Sequence, residues 1–173
     1  MDVKKRFAAA FMLAGVAALL PAAEPPVLRI PGVADRAIQP ASLLGRGRMD
    51  INVEAAVGDA VVYHGLPLLE VLEKAGLDTR SMAGQRKVAP AIVVATARDG
   101  YTVAFSVGEL LMHRADPRVF LVAESAAGPL PENEGPVRLF VQGDRVRSPY
   151  GLKTVELRYV AKNAAAEPAK PKR

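Results

Sequence analysis

The sequence predicts a domain of the α+β class, because several short strand patterns surround two helix patterns. An apolar run over 91–97 leads into Arg98-Asp99-Gly100-Tyr101, and a second apolar stretch follows over 102–105. Asp-Gly is a strong short hairpin signal, so we expect a type I′ turn here. Tyr101 is then placed at the end of a sheet, where its phenol is a candidate site group, although a tyrosine after a turn is more often a packing residue.

Six further stretches have strand patterns. Alternation of apolar and polar residues is typical of a half-buried strand, and a short continuous apolar run is typical of a fully buried one. These patterns cover residues 27–30, 50–57, 60–63, 119–123, 137–141 and 153–160.

The clearest helix pattern begins at Pro67, which suits a first helical position. Glu70 and Lys74 stand one turn apart in the favourable order for an ion pair, and Gly76 is the expected left-handed cap. The apolar face is formed by Leu68, Val71, Leu72 and Ala75, at i, i+3, i+4 and i+7. We interpret this helix as a scaffold and the polar stretch 78–90 after it as a surface loop.

A second, shorter helix is predicted from Ser106 to about His113. The residues 106–109 read S-V-G-E, which has the S-x-x-E form of a capping box. Asp116-Pro117 is expected to end this segment, because the residue before a proline disfavours the helical conformation.

The 173-residue chain divides into three parts. Residues 1–23 are predicted to be a signal peptide, because Lys4-Lys5-Arg6 precedes an apolar segment too short for a comfortable membrane span. Cleavage near Ala23 is expected, with retention as an N-terminal anchor as the alternative. Residues 24–160 form the predicted domain, and 161–173 a disordered basic tail. We therefore expect a periplasmic protein whose mature chain has no transmembrane span.

The charge distribution argues against a nucleic-acid partner. The net charge is +5, but the leader carries +2 and the tail +3, which leaves zero for residues 24–160. Nucleic-acid binding requires a basic surface that neutralises phosphates. The predicted domain has no such excess of positive charge.

Ordinary catalytic constellations are mostly missing from the sequence. There is no cysteine, which excludes a thiol nucleophile, a zinc knuckle and an iron–sulfur cluster. The two histidines, His64 and His113, lack a metal-ligand spacing, so we expect no metal site. Glu132 and Glu134 flank a turn residue, where paired acids serve acid/base chemistry but more often belong to a solvated loop.

Two arginine-bearing stretches are candidate anion sites. Gly45-Arg46-Gly47-Arg48 places two forked donors on a flexible loop, although such a loop is more often simply solvated. Arg138 lies in the middle of the apolar strand 137–141. Its side chain must therefore face solvent or bind an anion or carboxylate.

Four blocks of residues occur in a recognisable order. The first is Y-H-G-L-P-L-L-E-V-L over 63–72 with A-G at 75–76, and the second is A-R-D-G-Y over 97–101 with F-S-V-G-E-L over 105–110. The third is L-V-A over 121–123, G-P-L-P over 128–131 and G-P-V-R-L over 135–139, and the fourth is V-E-L over 155–157. Together, across Val27 to Val160, they resemble the sulfite-oxidase-type molybdopterin-binding domain family.

This resemblance implies a mixed, curved β-sheet with short helices. In family enzymes an organic pterin holds molybdenum, which passes an oxygen atom to or from a small substrate. Tyr101 matches the family's active-site tyrosine, and Arg138 matches the arginine of its G-x-P-x-R strand. The resemblance thus implies a cleft bounded by Tyr101, Arg98 and Arg138, with His64 nearby. Tyr101 is the catalytic candidate, and the other three are ligand-binding candidates.

The chain departs from the enzyme pattern at three positions. Family enzymes bind molybdenum through a cysteine thiolate, which this chain lacks, and oxygen or nitrogen does not replace so soft a ligand without changing the metal's chemistry. Glu134 stands where family members often have histidine, and Tyr150 near the place of a late lysine. These differences weaken the catalytic interpretation.

We therefore predict an exported, non-enzymatic module that binds a small ligand or an envelope protein partner and needs no cofactor. The alternative is a molybdopterin-dependent oxidoreductase subunit with Tyr101 at its active site. A third interpretation is a structural partner of an envelope complex, which the basic tail would tether to anionic lipid.

Overall fold

A computed structural model of the protein describes residues 23–53, 60–144 and 146–160. The predicted signal peptide, apart from Ala23, and the predicted basic tail 161–173 lie outside the described residues, as does the end of the strand predicted over 50–57. Within the described ranges, no helix has the length and apolar character needed to cross a membrane.

The described residues form ten strands and four short helices, which confirms the α+β class. The strands are β1 (Val27–Arg29), β2 (Arg36–Ala37), β3 (Met49–Val53), β4 (Val61–Pro67), β5 (Ala91–Ala97), β6 (Thr102–Ser106), β7 (Val119–Ser125), β8 (Gly128–Pro129), β9 (Arg138–Val141) and β10 (Leu152–Tyr159). The helices are α1 (Pro40–Leu43), α2 (Leu68–Lys74), α3 (Met82–Val88) and α4 (Val107–Met112).

The strands form two sheets, where the resemblance implied one curved sheet. The first sheet has the order β2-β1-β10-β5-β6. It is mixed, because β1 and β10 pair in parallel, whereas all the other neighbouring strands of this sheet pair antiparallel. The second sheet has the order β3-β4-β7-β8, with β9 also paired to β7, and all of these pairs are antiparallel.

One large apolar core joins the two sheets to all four helices. The first sheet contributes Leu28 and Val155, the second contributes Leu121 and Leu139, and α2 contributes Leu72, among others. Successive residues of a strand point to opposite faces, so the second sheet also has an apolar outer face. That face carries a smaller cluster of Ile51, Phe120, Val122 and Phe140.

Helix α2 forms largely as predicted. Glu70 and Lys74 are 3.0 Å apart in an ion pair, and Gly76 adopts φ +105°, the left-handed conformation expected of its cap. The prediction that Pro67 is the first helical residue is wrong. The strand predicted over 60–63 continues as β4 to Pro67, whose extended backbone precedes the helix.

The prediction of a surface loop over 78–90 is wrong, because α3 occupies Met82–Val88. The Ser81 side chain caps this helix by accepting a hydrogen bond of 2.9 Å from the Gly84 amide. Of the seven helical residues, only Gly84 and Val88 are buried. An apolar stripe of this size leaves no periodic pattern in the sequence.

Two local predictions about turns and caps are also wrong. A type I′ turn needs positive φ at two residues, but Gly100 alone has it, at +88°. The Ala97 amide bonds the Tyr101 carbonyl and the Gly100 amide bonds the Ala97 carbonyl, which is the three-residue hairpin with a left-handed glycine. The Ser106 hydroxyl makes no capping hydrogen bond to α4, so the capping box does not form.

Candidate functional site

A groove of about 830 Å³ lies among the described residues. Its walls come from α2, α3 and α4, from residues between α4 and the start of β7, and from the end of β9 with residues 142–144 and 147 after it. Cavities of roughly 300–1,000 Å³ are typical of sites for small organic ligands. The groove is therefore large enough to hold such a molecule.

One wall of the groove is organised around Glu73 of α2, whose side chain is only 10% exposed. Its carboxylate accepts hydrogen bonds from Arg114 Nη1 at 2.5 Å, from Arg80 Nη2 at 3.0 Å and from the Thr79 hydroxyl. Arg114 Nη2 also donates to the Thr79 carbonyl at 2.8 Å. Burial by itself raises the pKa of Glu73, but the bonds from Thr79, Arg114 and Arg80 together hold that pKa below its usual value.

The groove lining contains a second ion pair. Arg147 Nε donates to Asp144 Oδ2 at 2.7 Å, and this bond lowers the pKa of Asp144 and raises that of Arg147. The Arg147 guanidinium lies 5.4 Å from the centre of the Phe105 ring and 4.0 Å from the Glu109 carboxylate. These contacts fix Arg147 at the groove's edge.

Several polar side chains of the lining have no polar partner among the described residues. Within the described ranges, the side chains of Arg118, His113, Gln85 and Gln142 make neither a hydrogen bond nor an ion pair to another protein group. Apolar side chains lie beside them, including Leu69, Leu110, Val119 and Val141. Most of the lining is therefore charged or polar, it surrounds a smaller apolar floor, and four of its polar side chains are available to a ligand.

The sequence-predicted residue Arg98 lies outside this groove and holds the loop between β8 and β9. Its Nη2 donates to the Glu132 carbonyl at 2.7 Å and to the Gly135 carbonyl at 2.8 Å. Gly151 packs against the same side chain, because a Cβ added there would lie 2.7 Å from Arg98 Nη2. Arg98 therefore serves the structure of this loop.

Arg138 reaches the same loop from the other side and is only 8% exposed. Its Nη1 donates to Glu134 Oε2 at 2.9 Å and to the Tyr63 hydroxyl at 3.0 Å. The guanidinium also lies 4.0 Å from the centre of the Tyr150 ring. The sequence required Arg138 to face solvent or to bind an anion or a carboxylate, and the structure shows a carboxylate partner, Glu134. The buried Nε of Arg138 has no hydrogen-bond partner among the residues that the structure describes.

The remaining predicted residues occupy two other places. The Tyr101 hydroxyl donates to the Val146 carbonyl at 2.8 Å, and the side chain is 43% exposed. His64 Nδ1 lies 2.8 Å from Asp50 Oδ1 on the adjacent strand. Since consecutive strand residues face opposite ways, His64 points away from Tyr63 and its partner Arg138. The structure thus brings Arg98 and Arg138 to one loop and separates His64 from them.

Molybdopterin does not fit the chemistry of this loop. The donors of Arg98 are committed to backbone carbonyls, and Arg138 is paired with Glu134. A polyanionic cofactor placed here would meet the Glu134 carboxylate rather than a free cation. Among the described residues, no group of three or more His, Cys, Asp or Glu side chains has a metal-binding arrangement.

Sequence reasoning missed the groove, because its walls come from segments far apart in the chain. Glu73 and Arg114 are 41 residues apart. The closest local signal was the run His113-Arg114, followed by Arg118.

No protein-family model matches the chain, and no curated protein matches its sequence.

Proposed function

We propose that this chain is a small-ligand-binding module and that the groove formed by α2, α4 and residues 141–144 and 147 is its binding site. The observation that carries the proposal is the lining itself. A cavity of about 830 Å³ has a largely charged and polar lining around a smaller apolar floor, and some of its polar side chains have no protein partner among the described residues. A concave site of this volume with convergent polar groups is a candidate small-molecule site.

We further propose that the fold is that of the sulfite-oxidase-type molybdopterin-binding domain, used without molybdenum catalysis of its own. The four sequence blocks support the fold, and the absence of cysteine supports the loss of oxygen-atom transfer. The internal pairing of Arg138 with Glu134 adds to this argument, since it uses a cation that a pterin would need. The basic and apolar leader supports export to the periplasm.

The binding proposal is tested by screening a fragment library against the full chain by heteronuclear NMR. We expect at least one fragment to shift the amide signals of groove residues such as Leu69 and Val119. Gln142→Trp should fill the groove and weaken that fragment about tenfold or more, as an obstructed pocket requires. Gln39→Trp is the matched control, since Gln39 is exposed at the start of α1 and outside the groove.

Two results would overturn this proposal. One is a library in which no fragment shifts the groove signals. The other is a fragment that binds Gln142→Trp and Gln39→Trp equally well, because the groove would then not be the site.

The oxidoreductase alternative is tested on protein isolated from its native periplasm, with molybdenum measured by plasma mass spectrometry and pterin by fluorescence. We expect neither in cells supplied with molybdate. A stoichiometry near one molybdenum and one pterin per chain would replace the binding module with the enzyme. Tyr101→Phe would then be the first catalytic variant to examine.

A further inference from the structure

We infer that the groove selects a small organic acid, a single carboxylate carried on an apolar body. This inference rests on the proposed function, because it assumes that the groove is a ligand site. It is drawn from the balance of charges in the lining, from the position of Arg118 and from the apolar floor.

Each carboxylate of the lining lies within ion-pair distance of a protein cation. Glu73 lies between Arg80 and Arg114, Asp144 binds Arg147, and Glu70 is paired at 3.0 Å with Lys74 outside the groove. Glu109 shares Arg147 at 4.0 Å. A cationic ligand would therefore compete with existing ion pairs. An anionic ligand would not.

Arg118 is the cation of the lining that pairs with none of these carboxylates. Across the described parts of the chain, its side chain has no carboxylate within ion-pair distance. Its backbone carbonyl accepts a hydrogen bond of 2.8 Å from the Gln142 amide, which places the two residues side by side. An arginine fork matches the two oxygens of a carboxylate, and the Gln142 side chain adds a neutral donor next to it.

The net charge of the lining favours a ligand that carries one negative charge. The cluster of Glu73, Arg80 and Arg114 carries one excess positive charge, and the cluster of Asp144, Glu109 and Arg147 carries one excess negative charge. Because Glu70 is balanced by Lys74, Arg118 gives these groups together a net charge of +1. A polyanion such as a phosphate ester with further acidic groups would have charges without partners in the groove, which is costly in a partly desolvated site.

The floor of the groove determines the rest of the ligand. Leu69, Leu110, Val119 and Val141 are each at most 7% exposed and belong to the groove lining, so each offers a small apolar surface to the cavity. Contact with an apolar body removes this surface from water, which is favourable in proportion to the area covered. A carboxylate without such a body, such as acetate, would leave the floor hydrated and bind weakly.

The test uses the full chain and three matched head groups on the same bodies. Octanoate and 4-phenylbutyrate are each compared with the corresponding amide and amine, and acetate serves as the head group alone. Binding is followed by NMR titration of the groove amides. We expect the acids to bind about tenfold more tightly than their amides, since a hydrogen bond to a charged group contributes more than a neutral one. We expect no groove shifts from the amines or from acetate.

Arg118→Gln should bring the affinity for each acid down to that of its amide and leave the amide affinity unchanged. Arg36→Gln is the control, because Arg36 is an exposed arginine of β2, remote from the groove lining and likewise without an ion pair in the described ranges. It should change neither affinity.

Amides or amines that bind the groove as tightly as the acids would overturn the inference while leaving the groove a ligand site. Acids that bind Arg118→Gln and the unaltered protein equally would overturn it too, as would acetate that binds as tightly as octanoate. Failure of every acid to shift the groove signals would also overturn it. The fragment screen would then decide separately whether the groove binds ligands of another class.

Discussion

Arg114 Nη1 lies 2.5 Å from Glu73 Oε1, and this ion pair connects the chain just after α4 with the last turn of α2. The same carboxylate receives Arg80 and the Thr79 hydroxyl. Glu73 therefore holds one wall of the groove together, and the wall's geometry depends on the charge of a single side chain.

We expect Glu73→Gln to lower the free energy of unfolding by about 1–3 kcal/mol, because a largely buried carboxylate loses charged hydrogen bonds to two arginines. Urea unfolding followed by circular dichroism measures this value. Glu70→Gln is the matched control on the same helix. Its exposed pair with Lys74 should contribute less than about 0.5 kcal/mol. Equal losses in the two variants would show that Glu73 is not the centre of the wall.

The Glu73 contribution should depend on pH in a defined direction. The pKa of this carboxyl is lowered from its ordinary value of 4.5 in the folded state. The stabilisation is therefore complete above the unfolded pKa and is lost as the pH falls through the lower folded pKa. We expect the stability difference between the unaltered protein and Glu73→Gln to be constant from neutral pH to about pH 6 and to shrink towards pH 3.

This comparison isolates Glu73 from other acidic groups. Asp78, Asp144 and Glu156 also have lowered pKa values, through hydrogen bonds from Ser81, from Arg147 and from Arg158 and Arg29, respectively. Their contributions occur in both proteins and cancel in the difference. A difference that grows on acidification would contradict the assignment.

Arg138→Met should be strongly destabilising, by about 3 kcal/mol, because it leaves Glu134 and the Tyr63 hydroxyl without their buried partner. Adding Glu134→Gln removes the unpaired charge. We expect the double variant to lose less unfolding free energy than the two single variants lose in sum, by at least about 0.5 kcal/mol. Denaturant titration of the four proteins gives this coupling energy, and strict additivity would mean that the observed pair contributes nothing.

Gly151→Ala should cost more than Gly143→Ala, although both glycines have positive φ, +52° and +76°. A Cβ at Gly143 meets none of the described residues within 4 Å, so we expect only the backbone cost of about 1–2 kcal/mol. A Cβ at Gly151 displaces the Arg98 guanidinium and breaks its bonds to two carbonyls. We expect an excess of about 1–3 kcal/mol for Gly151→Ala in thermal or urea unfolding.

That excess should disappear in an Arg98→Ala background, where the added methyl group has room. If Gly151→Ala costs as much there as in the unaltered protein, crowding against Arg98 is not its cause.

Ser81→Ala and Ser106→Ala should differ, although both serines precede helices. The Ser81 side chain caps α3, and its removal should cost about 1 kcal/mol. The Ser106 hydroxyl makes no capping bond, so its removal should change the unfolding free energy by less than about 0.5 kcal/mol. Chemical denaturation of the two variants measures this difference. A larger loss of unfolding free energy for Ser106→Ala than for Ser81→Ala would contradict the capping seen in the structure and support the capping box predicted at 106–109.

The parts of this fold that the sequence predicts are those with local causes. Helix α2 is recognisable because its apolar stripe and the left-handed Gly76 all lie within ten residues. Helix α3 is not, since only Gly84 and Val88 bury surface and its cap depends on the placement of Ser81. The α+β class follows from such local patterns, whereas the division into two sheets depends on which strands meet.

The candidate site shows the same limit more clearly. The sequence placed Arg138 in an apolar strand and required a partner for it, and Glu134 is four residues away. Tyr63, its other partner, is 75 residues away, and no local pattern connects the two. The groove is a harder case still, because none of its walls has a motif. Pairings over such distances are set by the packing of the core.

The place of β10 in the first sheet has a consequence for the order in which the protein can form. This strand, Leu152–Tyr159, is the last of the described strands, yet it lies between β1 and β5. During synthesis, β1 and β5 have no strand between them until residue 159 has left the ribosome. The edges that β10 will cover therefore stay open to other chains until then. The first sheet closes only after the segment that follows the second sheet has been made.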